Sequence, residues 1–309
     1  MAGVGSKITA ADYNLIQNKA SLILGPGSGQ SGYGQSVTSA GVVQGDKIRL
    51  TDWVNLRSDM ILARQHQTGV SVGTKSPTDP GYVAGQDLIL PTNSFTVTEQ
   101  LRAQYNTFAD TITSDKFLIG STQFSPEALL TTQRGPSQDW NGTLTNVVTV
   151  QFASADQARY FFNAGGIIKI LSTITGDGGA SNDKNNTWNV MLSQTGTVSF
   201  GVSVTADGSS PGTCSLGYHS LTTSDQRVYY KAPLSGSYTL NDYSIYAKLA
   251  SGGAQVVFTI NYEDNAGPNP NYDENVTGTL INTVSMNRPS GSNVTLAAPT
   301  ASRSGNMIP

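Results

Sequence analysis

The chain has 309 residues, a formal net charge of −3 and 13% charged residues, whereas globular proteins average about 25% charged residues. With this net charge the chain lacks the excess of positive charge that attracts a phosphate backbone, so we expect no nucleic-acid partner. The apolar runs fall short of the ~18 residues that a membrane-spanning helix needs, and residues 1–9 lack the basic flank and apolar run of a secretory signal. We therefore expect a protein made in a cytoplasm, without membrane insertion.

Three helices are predicted in the first 120 residues, over 9–24, 51–68 and 97–113. The first has Thr9 as a capping residue and Asp12 in its first turn, and Gly25 followed by proline ends it. Apolar residues recur at three-to-four spacing, as a helix with one buried face requires. The glycine-rich stretch 27–35 predicts a loop that bends or approaches another backbone. We expect residues 1–120 to form a helical docking region.

The openings of the first two predicted helices resemble each other. Ile8-Thr-Ala-Ala-Asp-Tyr-Asn-Leu15 and Leu50-Thr-Asp-Trp-Val-Asn-Leu56 both place an aromatic residue directly after an aspartate, with Asn-Leu shortly afterwards. Two occurrences do not make a repeat array. The similarity indicates two helices that begin in the same way.

From about residue 121 the sequence changes to short β-branched runs separated by Gly, Asn, Asp and Pro clusters, a spacing typical of a sandwich or barrel. Strands are predicted at 143–152, 166–175, 197–205, 227–231, 244–249, 255–262, 276–284 and 293–297. The predicted fold class is α+β and mainly β, with an antiparallel β-sandwich or barrel-like domain over 121–298. The tail 299–309 has little apolar content, so we expect a partner to order it.

Two short helices are predicted within the β region. A Ser-x-x-Gln box at Ser154 and Gln157 opens one or two helical turns that close at Gly165. The aromatic residues of this segment are expected to plug one end of the β core. A second helix is predicted over 186–194, with apolar residues turned inward.

Four pieces of the sequence carry a resemblance to known proteins: Ile8–Asn14, Gly32–Gln35, Ala158–Gly166 and Asp273–Thr279. In their order and combination they resemble virion structural proteins of marine T4-like cyanophage myoviruses, including tail-appendage and fibre-like proteins. The resemblance touches both regions of the chain. It implies a virion component assembled in many copies in the host cytoplasm, in the neck, sheath, baseplate, fibre or capsid. It supplies no catalytic residues.

The sequence offers few groups for catalysis. Its two histidines are His66, near a helix end where we expect a surface position, and His219. His219 lies five residues from Cys214, the single cysteine, which we expect to be a small buried residue and not half of a thiol–histidine pair. A glycosidase would need paired carboxylates, and the low acid content disfavours it. We predict no catalytic residues.

Acidic residues cluster at Asp177 and Asp183, and again between Glu263 and Glu274, where oxygen ligands could meet a calcium ion. The one-three-five spacing of a calcium loop is absent, and acidic turn residues ordinarily accept hydrogen bonds from backbone amides. The glycine-rich loop lacks a following basic residue for phosphate. We predict no metal and no cofactor.

Aromatic residues are the candidate partner-binding side chains. We select Tyr13, Tyr33, Trp53 and Tyr272. Tyrosines of the β region offer rings that stack on sugars or on protein partners. Tyr246 and Tyr262 stand inside strand patterns, so we expect both in the core.

The leading hypothesis is a non-enzymatic, homo-oligomeric virion component, associated with the tail, neck or baseplate, that contacts other virion proteins through its N-terminal helices. The alternative is a receptor-binding fibre or adaptor that recognises host surface glycans, or a capsid decoration protein. A depolymerising hydrolase is the third class, and it predicts paired carboxylates about 5–10 Å apart in a cleft.

Overall fold

The computed structural model describes residues 8–73, 98–176, 182–235, 238–265 and 274–307. The chain divides into two compact units. The helical unit comprises Met1–Ser125, Arg159–Gly165 and Pro289–Leu296, and the sandwich unit comprises Pro126–Ala158, Gly166–Arg288 and Ala297–Pro309. Helices dominate the first unit and antiparallel sheets the second, which confirms the predicted α+β, mainly β class.

The helical unit contains α1 (Ala10–Leu24), α2 (Leu50–Thr68) and α3 (Thr98–Ser114), as predicted from the sequence. The two similar openings are two N-termini in which Asp12 and Asp52 each accept a hydrogen bond from the backbone of the capping residue. The aromatic residues that follow them meet in the core: the ring of Trp53 lies 5.3 Å from that of Tyr13 and 5.3 Å from that of Tyr105. The repeated motif therefore caps a helix and fills the core at the same time.

Helices α1 and α2 run in the same direction. Near their starts, the Tyr13 hydroxyl donates to the Asp52 carbonyl at 3.0 Å, and beyond the end of α1 the Tyr33 hydroxyl accepts from Gln67 at 3.1 Å. A parallel pair needs a long connection, and residues 25–49 provide it. The buried Asp59 carboxylate accepts from backbone amides of this connection, at 3.0 Å from Thr38 N and 2.8 Å from Ser39 N. These bonds fix the middle of the connection to α2.

The sandwich unit holds most of the strands, which the described residues arrange in two sheets. The strands are β1 (Phe124–Arg134), β2 (Thr143–Gln151), β3 (Ile167–Thr175), β4 (Thr197–Phe200), β5 (Val204–Ala206), β6 (Thr213–Cys214), β7 (Gln226–Lys231), β8 (Asp242–Ala250), β9 (Gln255–Glu263), β10 (Thr279–Pro289) and β11 (Thr300–Ser304). One sheet has the order β1-β10-β3-β4-β5 and the other β11-β2-β9-β8-β7-β6. Two helices, α4 (Ala155–Asn163) and α5 (Asp183–Thr195), confirm the predicted short helices.

The two sheets face each other across a core that contains a chain of polar side chains. Asn146 on β2 donates to Asn282 on β10 at 2.9 Å, and Asn282 donates to the Ser172 hydroxyl on β3 at 3.0 Å. Ser172 also lies 2.9 Å from the Tyr243 hydroxyl and 2.7 Å from the Tyr262 hydroxyl. All five side chains are buried, so these hydrogen bonds join both sheets from within the sandwich.

Several strand predictions need correction. The predicted strand 197–205 is a hairpin of β4 and β5, because the backbone turns at Gly201 and pairs Phe200 with Val204. Residues 293–297 form no strand: Leu296 N bonds to the Pro289 carbonyl in a compact turn that belongs to the helical unit. The tail does not depend on a partner for order, since 300–304 pair with β2 as edge strand β11.

Candidate functional site

The predicted partner-binding aromatic residues of the helical unit lie in its core. The exposed fraction is 0% for Tyr13, 1% for Tyr33 and 8% for Trp53. The structure thus corrects their selection as surface side chains, because each ring fills a helix-helix contact or receives an internal hydrogen bond. Tyr272, the fourth candidate, lies outside the described residues.

Two of the sequence pieces that carry the resemblance contact each other within the helical unit. Asn163 donates to the Gly32 carbonyl at 3.3 Å. Just before that piece, Arg159 donates to the carbonyls of Ser31 at 2.7 Å and Pro26 at 2.8 Å. Gly34 has a φ of +70°, and a Cβ at this position would clash with the Tyr160 ring. The glycine-rich loop therefore approaches residues of its own chain. The aromatic residues of α4 also depart from the expectation that they plug the β core, because Arg159–Gly165 clusters with the helices.

An exposed apolar stripe runs along α1. Leu15 and Leu22 are 54% and 40% exposed, and their spacing of seven residues places them on one face, two turns apart. On α2, Leu50 and Val54 are also exposed, one turn apart at its N-terminal end. We call these four residues the helical stripe. The leucines aligned on one face of α1 and the exposed pair on α2 leave apolar side chains in contact with water, so the stripe is the candidate docking surface of the unit.

His66 is buried, which corrects its expected surface position. Its Nε2 lies 3.0 Å from the Ala164 carbonyl, and its ring packs against Tyr33 at 5.1 Å. Burial lowers the pKa of His66 to about 4, since the charged imidazolium loses its hydration. At neutral pH this histidine is a neutral core residue with a hydrogen-bonding role.

Cys214 is half-buried on the short strand β6 rather than fully buried, and burial raises the pKa of its thiol. A raised thiol pKa reduces the thiolate, which is the nucleophilic form. His219 lies in a short helical turn with its ring 5.2 Å from that of Tyr218. These surroundings do not activate a thiol–histidine nucleophile.

Several acidic residues named from the sequence have protein partners. The buried Asp264 carboxylate accepts from Lys184 Nζ at 2.9 Å and from Gly142 N at 3.1 Å, and both ionic side chains are fully buried. Glu274 accepts from the Tyr238 hydroxyl at 3.1 Å, whereas Asp177 and Asp273 fall outside the described ranges. Within those ranges no three His, Cys, Asp or Glu side chains are placed to hold a metal ion.

The outward face of β7, β8 and β9 carries a cluster of polar and aromatic side chains that sequence reasoning missed. Its members are one exposed residue and five half-buried residues: Arg227, Tyr230, Asp242, Tyr246, Asn261 and Glu263. We call this cluster the polar grid. Tyr262 is fully buried as predicted, but Tyr246 belongs to the outward face, contrary to the expectation of a core position. The strict alternation of inward and outward side chains along β8 was the signal that could have placed Tyr246 on the outward face.

No family model matches this chain, and no curated protein or solved structure matches it either. Among the helices that the structure describes, none combines the length and apolar character needed to cross a membrane. A function has to be inferred from the sequence resemblance and from the surfaces of the two units.

Proposed function

We propose that this chain is a non-enzymatic structural component of a tailed-phage virion, which attaches to neighbouring virion proteins through its helical unit. The observation that carries the proposal is the helical stripe on α1 and α2. The contact between the glycine-rich loop and residues 159–163 adds support, because two pieces of the virion-like sequence pattern build one local structure in the same unit.

Burial of the stripe by a neighbouring protein would remove two leucines of α1 from water. Full burial of a leucine side chain contributes about 1.5–3 kcal/mol, which is too little by itself for a stable complex. A symmetric particle repeats the same contact in every copy, so that weak individual contacts add up through effective concentration. The stripe therefore suits a homo-oligomeric component assembled from many copies.

The non-enzymatic part of the proposal is supported by the state of the groups that catalysis would use. His66 is buried and neutral, and the thiol pKa of Cys214 is raised. The Asp264 carboxylate forms an internal ion pair with Lys184. His66 and Asp264 each have a structural role that accounts for their surroundings.

The test is cryo-electron microscopy of phage particles that carry either the wild-type chain or the L15S/L22S variant. We expect the helical unit to face a neighbouring subunit in the tail, neck or baseplate, and the variant to be incorporated in fewer copies. The matched control is L234S, which replaces a more exposed leucine of the sandwich unit. Equal incorporation of both variants would contradict docking through the stripe, and density on the capsid surface would make the chain a decoration protein.

A further inference from the structure

Facing side chains form rows on the outward side of the six-stranded sheet. In register across the strands, Asp242 faces Glu263, Ser244 lies between Tyr230 and Asn261, and Tyr246 lies between Arg227 and Thr259. The residues between them on β8 and β9 point inward, as Tyr243 and Tyr262 show by bonding Ser172 in the core. The rows therefore share one surface, and the polar grid is a continuous patch.

The grid combines aromatic rings with a guanidinium. The Arg227 Cζ atom lies 4.7 Å from the centre of the Tyr230 ring, a distance at which a cation is attracted to the ring face. Tyr246 faces Arg227 in register on the next strand. Two half-buried tyrosines beside one guanidinium offer apolar ring surface together with hydrogen-bond donors.

The other end of the grid supplies hydrogen-bond acceptors. Asp242 and Glu263 face each other on β8 and β9, and burial together with the Glu263 carboxylate raises the pKa of Asp242 to about 6. Asn261 is held in place by Thr145, whose hydroxyl donates to Asn261 Oδ1 at 3.1 Å. Planar carboxyl and amide groups at fixed positions are suited to hydroxyl groups of a ligand.

A buried hydroxyl lies at the centre of the grid. Ser244 is 1% exposed, and its Oγ has no hydrogen-bond partner among the residues that the structure describes. A buried polar atom without a partner costs about 1–3 kcal/mol. A ligand that carries hydroxyl groups would supply the missing partner where Tyr230 and Asn261 flank this serine.

We propose that the polar grid binds a neutral oligosaccharide, a function that goes beyond attachment through the helical unit. Pyranose rings present apolar C–H faces to tyrosine rings and hydroxyl groups to carboxyl, amide and guanidinium groups. A phosphate-rich ligand would be repelled by Asp242 and Glu263. A protein interface would also use tyrosine and arginine, but it depletes aspartate and glutamate, whereas the grid pairs Asp242 with Glu263.

The experiment uses the purified full-length chain on an array of neutral oligosaccharides from bacterial surface polysaccharides, followed by calorimetric titration of the strongest binder. We expect binding by the wild type and at least a tenfold loss of affinity in Y246A. The isosteric variant D242N, which keeps the shape of the side chain, should lose about tenfold as well. The control K248A alters the same face beyond the grid and should bind as the wild type does.

Thermal unfolding of each variant separates loss of the fold from loss of the site. Absence of binding to every oligosaccharide on the array would overturn the proposal, and so would wild-type affinity in both Y246A and D242N. None of these outcomes affects attachment through the helical stripe, because particle incorporation of L15S/L22S is measured separately.

Discussion

The helical unit and the sandwich unit satisfy their buried polar side chains in different ways. In the helical unit these side chains bond mainly to backbone atoms: Tyr33 to the Lys116 carbonyl, Gln67 to the Ile112 carbonyl and Asp59 to two loop amides. In the sandwich unit, a central group of buried side chains bonds to itself, from Asn146 through Asn282 and Ser172 to two tyrosines. Backbone partners fix the path of a loop, whereas paired side chains on facing sheets fix which residues oppose each other. Substitutions should therefore perturb the two units differently.

The largest effect is expected from K184M in the sandwich unit. The substitution leaves the Asp264 carboxylate buried without its cation, and removal of one partner of a buried ion pair costs about 3–5 kcal/mol. Urea unfolding followed by tryptophan fluorescence measures the loss, because Trp188 Nε1 lies 3.4 Å from Asp264.

The control for this substitution is K248M, which breaks the partly exposed pair of Lys248 with Asp225. Exposed ion pairs contribute about 0–1 kcal/mol, so this variant should unfold close to the wild type. Similar losses of stability in both variants would show that the buried ion pair stabilises the sandwich unit no more than the exposed pair does.

The next effect is an acid sensitivity of the helical unit. The pKa of His66 is about 4 in the folded chain and 6.5 in the absence of structure. Because the folded pKa is the lower one, the stabilisation is complete above pH 6.5 and is lost as the pH falls from 6.5 towards 4. Between pH 7.5 and 5.0 this linkage should remove about 2 kcal/mol from the free energy of unfolding.

Urea unfolding at pH 7.5 and 5.0 tests this linkage by comparing the wild type with H66Q. The glutamine variant has no imidazole at this position and should lose less stability over the same interval. An identical pH dependence in the wild type and H66Q would rule out His66 as the sensitive group.

A smaller effect is expected from S172A, which interrupts the side-chain network between the sheets. The Asn282 amide and the two tyrosine hydroxyls would lose a buried partner, at a cost of about 1–2 kcal/mol. Removal of the hydroxyl from the exposed Ser302 on β11 is the matched control and should change stability by less than about 0.5 kcal/mol. Equal unfolding midpoints for S172A and S302A would contradict a stabilising role for the network.

The parts of the fold that were predictable from the sequence have local causes. Thr9 and Asp12 cap α1, and Gly25 ends it, so the helix bounds follow from residues only a few positions apart. The partner of His66 is a carbonyl 98 residues away, which no local pattern reveals. Strand β11 escaped prediction because an edge strand pairs through its backbone and needs few apolar side chains.

The difference between local and distant causes also explains why neither candidate surface was predicted from the sequence. The helical stripe was hidden because the periodicity of α1 predicts which residues are buried, and a leucine outside the main apolar face looks like part of it. The polar grid was hidden because its residues come from three strands whose pairing the sequence does not state. Register is a tertiary property, set here by the antiparallel pairing of β8 with β7 and with β9.

The smallest difference is expected between two glycine substitutions in one loop, and it tests whether the glycine-rich loop is held by side chains as well as by backbone bonds. Gly29 and Gly34 both have positive φ values, so G29A and G34A share the cost of placing an alanine in the left-handed region. A Cβ at Gly29 meets no atom within 4 Å, whereas a Cβ at Gly34 clashes with the Tyr160 ring. Displacement of the ring should make G34A less stable than G29A by about 1 kcal/mol or more in urea unfolding.

The control is the double variant G34A/Y160A, in which the ring is absent. Adding G34A to Y160A should therefore cost less stability than adding G34A to the wild type. If G29A and G34A unfold alike, the loop tolerates the displacement, and its fixed path depends on backbone hydrogen bonds such as those from Tyr33 N to the Ile23 carbonyl and from Gln35 N to the Leu24 carbonyl.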